Sequence, residues 1–61
     1  MSQDEVRIEL KNFLLDKGVK NKKVAESVGL SDNTISMFLR EKRELSHRKL
    51  ELIHQYVMKN T

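Results

Sequence analysis

Residues 21–40 read NKKVAESVGLSDNTISMFLR, and this stretch decides the fold. Val24, Ala25 and Val28 fall at helical spacing, Gly29 interrupts, and Ile35, Phe38 and Leu39 resume the pattern. Gly29 can take the positive φ that a tight turn needs. Ser31 stands just before the second run, where its hydroxyl can accept from a backbone N–H left unpaired at a helix start. Leu30 and Ile35 flank it at the spacing of a hydrophobic staple. The stretch therefore predicts two short helices, about 21–28 and 32–40, joined by a turn. Ala25 must be small where the helices cross closely. Val24, Val28, Leu30, Ile35 and Phe38 would fill the wedge between them and the remaining core. Asp32, Asn33, Ser36, Met37 and Arg40 are left on the outside.

Outside this stretch the same start signal appears twice more. Ser2 and Glu5 have the spacing of a capping box, with Met1 and Val6 placed to staple across it. Ser46 lies between Leu45 and Leu50 as Ser31 lies between Leu30 and Ile35. Gly18 follows the first apolar pattern and can end it. Two further helices are expected at about 3–16, with Val6, Leu10, Phe13 and Leu14 on one face, and at about 47–58, with Leu50, Ile53 and Val57. Leu52 and Tyr56, one turn apart on the last helix, would close the core against the first. The expected fold is all-α, a single compact four-helix domain spanning residues 1–61.

Composition agrees with that reading. The chain has 61 residues, no cysteine, no proline and three aromatics, so neither disulfides nor a thiolate zinc site can brace it. A domain this short buries only about 60% of the surface its unfolded chain exposes, so its core has to be economical. The longest apolar run, Phe13-Leu14-Leu15, is far below the ~20 residues of a membrane span. No secretory leader is evident, and a soluble cytoplasmic protein is expected.

The net charge of +3 is unevenly spread. Residues 1–16 sum to −2, with Asp4, Glu5, Glu9 and Asp16 against Arg7 and Lys11. Residues 17–43 sum to +4, with Lys17, Lys20, Lys22, Lys23, Arg40, Lys42 and Arg43 against Glu26, Asp32 and Glu41. Such a segment suits a polyanion, and equally a solvated helical surface. No nucleophile, base and acid fall at a recognisable catalytic spacing, and no glycine-rich phosphate loop is present, so no enzyme is expected. His47 and His54 are seven residues apart on one helix, about 10 Å along its axis, too far to share a metal ion. They read as surface histidines, and no cofactor is expected.

Ala25, Gly29 four residues on, and Ile35 six further with Ser36 beside it resemble the Cro/C1-type helix-turn-helix of phage and bacterial repressors. The flanking helices extend the resemblance over roughly residues 5–58. It implies a lambda-repressor-like domain acting as a sequence-specific regulator, nucleoid-associated, with the helix at 32–40 in the major groove of an operator. Two positions depart from the pattern. Where the family often has Ser or Thr capping a first Gln, this chain has Lys20 and Asn21, so Asn21 serves either as the first helical residue or as the cap.

The resemblance assigns base contacts to Asp32, Asn33, Ser36, Met37 and Arg40. Asn33 can pair bidentately with adenine, Asp32 can accept from cytosine, and Met37 can press on a thymine methyl. Each has a plainer reading: Asp32 and Arg40 complement the helix dipole, Asn33 bonds locally, and Met37 packs in the core. Asn21, Lys22, Lys23, Thr34, Lys42 and Arg43 would hold phosphates, setting register and affinity. A homodimer on a palindromic site would use the Leu52–Tyr56 side of the last helix and the C-terminal residues. The rival is a module of the same fold that binds another regulator, for which the acidic Asp32 is suited.

Overall fold

Three of the four helices start on the expected serines. Ser2, Ser31 and Ser46 are extended N-cap residues whose hydroxyls accept from the backbone N–H of Glu5, Thr34 and Lys49. At Ser2 the box is reciprocal: the Glu5 carboxylate accepts the Ser2 N–H at 2.8 Å, and this bond holds the Glu5 carboxyl below its ordinary range. The computed structural model covers residues 1–61 and has the element order α1 Gln3–Lys17, α2 Asn21–Val28, α3 Asp32–Leu39 and α4 His47–Lys59. The fold is all-α with four helices.

The boundaries differ from expectation by one residue in three places. α1 runs through Lys17 because left-handed Gly18 (φ 66°) donates its N–H to the Leu14 carbonyl and closes the last turn. α4 likewise reaches Lys59. α3 stops at Leu39, since Arg40 at φ −90°, ψ 9° has left helical geometry.

One core of twelve residues joins the helices: Val6, Leu10, Phe13, Val24, Ala25, Val28, Ile35, Phe38, Leu45, Leu50, Ile53 and Val57. α2 packs on α3, and α4 closes over α1 and α2. Leu14, Val19, Leu30, Leu39, Leu52 and Tyr56 pack around it, half-buried. Tyr56 meets Phe13 edge-on at 5.6 Å between ring centroids, which ties α4 to α1 as expected. Leu52 and Tyr56 close the core against α1 while each keeps part of its surface exposed. No helix is long and apolar enough to cross a membrane.

Polar side chains supplement this small core at the helix ends. Gln3 donates to the Leu45 carbonyl at 2.7 Å and accepts the Leu45 N–H at 3.0 Å, pinning the start of α1 to the segment before α4. Lys49 donates its ammonium to the Val28 carbonyl at 3.2 Å, satisfying an acceptor at the end of α2. His54 is half-buried rather than a free surface group: its Nδ1 lies 2.7 Å from Glu9 Oε1, a bridge between α4 and α1. His47 is exposed, 3.5 Å from Glu51 on its own helix.

Arg7 is the one buried charged residue, 8% exposed. Its Nε donates to the Phe38 carbonyl at 2.7 Å, its guanidinium lies 4.8 Å from the centre of the Phe38 ring, and Nη1 bonds Asp4 at 2.6 Å. A charged donor added to a carbonyl at a helix end contributes on the order of 1.5–3 kcal/mol. Arg7→Ala is therefore expected to lower unfolding stability by about 2 kcal/mol in urea titration. A loss below about 0.5 kcal/mol would show that Arg7 does not anchor α3.

Candidate nucleic-acid interface

α3 is two turns long, so its two faces are sharply divided. Ile35 and Phe38 point inward and are fully buried. Asn33, Ser36, Met37 and Arg40 follow at helical spacing along the outer side, with Asp32 at the first position. The helix is fixed at both ends. Ser31 caps its start, and Arg7 from α1 holds the Phe38 carbonyl near its finish. The turn before it is set by Gly29 at φ 74°, with the Leu30 N–H donating back to Ala25 at 2.9 Å.

The outer residues are not equally available. Asp32 and Asn33 are exposed, and their side chains make no bond within the molecule. Ser36 and Met37 are half-buried, so Met37 contributes both to packing and to the outer face. Arg40 is exposed just past the helix, with Nη2 3.9 Å from the Met37 sulfur. Thr34 is committed locally: its hydroxyl lies 2.7 Å from that of Ser31 in the cap. A phosphate contact from Thr34 would have to share that hydroxyl.

The start of α2 corrects one alternative. Lys20, not Asn21, is the N-cap, and it supplies no side-chain bond; Asn21 is the first helical residue. The first turn of α2 also contains no acid. The Lys23 N–H donates to the Lys20 carbonyl at 3.0 Å, and the N–H groups of Asn21 and Lys22 are left for an anion beside the exposed Lys22 and Lys23 side chains. Asn21 is half-buried there. Lys42 and Arg43 are exposed beyond the end of α3.

The electrostatics divide the molecule in the same way. Its ion pair Asp4–Arg7 and its two histidine–carboxylate contacts, His47–Glu51 and Glu9–His54, all lie on α1 and α4. None of the seven basic residues between 17 and 43 is paired with an acid. The helix starts and the outer stripe were legible from local spacing. The positioning roles of Arg7 and Lys49 were not, because each reaches an acceptor far along the chain. The available signal for Arg7 was its place on the α1 wheel, beside Leu10 and Leu14 and turned inward.

α3 ends in a Schellman turn: Glu41 N–H donates to Phe38 at 3.1 Å and Lys42 N–H to Met37 at 2.9 Å. The left-handed position, usually glycine, is held by Glu41 at φ 61°. A side chain there costs ~1–2 kcal/mol, and glycine returns part of that as unfolded-state entropy. Glu41→Gly should therefore raise stability by about 0.5–1 kcal/mol, read as a shift of the urea midpoint, whereas Glu41→Ala should not. Equal midpoints for the two variants would refute this account of the turn.

No protein-family model, curated protein or solved structure matches this chain. The functional reading rests on the geometry of α2, α3 and the turns around them.

Proposed function

We propose that this chain binds double-stranded DNA in a sequence-dependent way and regulates transcription, acting as a Cro/C1-type repressor by occupying a promoter. One observation carries the reading. A short helix, capped at its start and anchored from α1, presents unbonded polar side chains between basic residues that no internal acid neutralises. In this reading α3 enters the major groove, where Asn33 and Asp32 at its N-terminal end meet base edges. The uncapped start of α2 with Lys22 and Lys23 holds one stretch of phosphates, and Lys42 and Arg43 hold another. The chemistry is binding alone, without catalysis or a cofactor.

A second reading draws on the exposed, unbonded Asp32 carboxylate. An acid on the reading helix is unfavourable near phosphates but suits a basic or polar protein surface. The same face would then hold another regulator, with weak and sequence-blind affinity for DNA.

Selection of duplexes from a random library at near-physiological salt separates the two. Recovery of a motif supports the DNA regulator; recovery of none from folded protein supports the protein-binding module. Within the first reading, Asn33→Ala should cost ~1–3 kcal/mol on the selected site and relax preference at one base pair. Lys42→Ala should weaken selected and random DNA alike and make the salt dependence shallower. Identical profiles for the two variants would overturn the division into base-reading and phosphate-holding residues.

A further inference from the structure

We propose that the outer face of α1 pairs two copies of this chain, helix against helix and antiparallel, with Ile8 on the two-fold axis. Four large apolar side chains remain exposed: Met1, Ile8 (60%), Leu15 (79%) and Met58 (62%). They are not scattered. Ile8 and Leu15 are two turns apart on the side of α1 facing away from Val6, Leu10 and Phe13. Leu15 and Met58 line one shallow hollow between α1 and α4, together with Phe13 and Val57. Ile8 and Leu15 thus leave apolar groups along one exposed side of α1, with Lys11 and Asn12 between them, as an interaction surface does.

The charges on that face identify its occupant as a second copy. Asp4 and Lys11 lie one turn to either side of Ile8 on one flank; Glu5 and Asn12 do so on the other. A two-fold axis through Ile8, perpendicular to both helices, sets each flank against its own reverse. Asp4 then faces Lys11 of the second copy, and Glu5 faces Asn12 of the second copy. A parallel pairing would instead oppose Asp4 to Glu5 of the second copy, acid to acid, and leave Lys11 against Asn12. Lys11 makes no bond within its own chain, and Asp4 gives one oxygen to Arg7 and keeps the other. The face is thus self-complementary in one orientation.

Its size sets the strength of the pairing. A standard interface takes about 800 Å² from each partner, which would be about a fifth of the 4197 Å² surface of this chain. One 15-residue helix offers less. The dimer is accordingly weak and concentration-dependent. Because residues 1–16 carry a net −2, this face is also the part of the molecule least suited to a polyanion, so pairing leaves the basic segment uncovered.

Sedimentation equilibrium without DNA tests this independently of what α3 binds. The average mass is expected to rise toward twice that of the chain as concentration approaches about 1 mM. Ile8→Lys, which sets two like charges on the axis and removes no buried side chain, should weaken association at least about tenfold with an unchanged helical spectrum. Because the chain has no cysteine, Ile8→Cys should form a disulfide-linked dimer on mild oxidation, and Gln55→Cys, on exposed α4, should not. A monomer at about 1 mM overturns the proposal and leaves the stripe to another protein. So does an Ile8→Lys chain that pairs as well as the parent, or a Gln55→Cys chain that cross-links as fast as Ile8→Cys.

Discussion

The placement of α3 depends on the guanidinium of Arg7. α3 is only two turns long, and its own buried side chains, Ile35 and Phe38, fix its depth in the core better than its orientation. Arg7 supplies the orientation by bonding the Phe38 carbonyl and lying against the Phe38 ring. Ring and carbonyl belong to one residue, so the contact constrains both the rotation of α3 and its position along its axis. Asp4 completes the arrangement by neutralising the far side of the guanidinium, which would otherwise be a buried charge without a counter-ion.

The same device recurs at smaller scale. Gln3 occupies both backbone groups of Leu45, and Lys49 occupies the Val28 carbonyl. A chain of 61 residues has limited apolar area to bury, and its helices are short enough that their ends form a large share of them. Satisfying those ends with long side chains from neighbouring helices ties the elements together where the core alone is thin. No buried side-chain polar atom is left without a partner.

What could be read in the sequence was what acts over short separations. Ser2, Ser31 and Ser46 each declare a helix start through a bond three residues away, and Gly18 and Gly29 declare stops through their own backbones. The outer stripe of α3 followed from spacing once Ile35 and Phe38 were placed inside. Arg7, Gln3 and Lys49 escaped that reading because their partners lie 31, 42 and 21 residues away, beyond any local pattern. Asn21 as a possible cap and Thr34 as a free hydroxyl were decided by backbone geometry that residue type alone does not fix: Lys20 holds the cap position, and Thr34 lies against Ser31. Glu41 in a left-handed turn carried no signal at all, since glycine is the residue that ordinarily marks that place.

The side chains of Asp32 and Asn33 take part in none of this scaffolding: they cap nothing, pair with nothing and bury nothing. Exposed substitutions away from such features usually change stability by no more than about 0.5 kcal/mol. The chemistry at the tip of α3 can therefore drift through many residue types while Arg7, Ser31 and the core keep the helix in place. A mutational history acting on this chain would find the tip of α3 easy to rewrite and the architecture hard to change, so that one skeleton could carry many different surfaces.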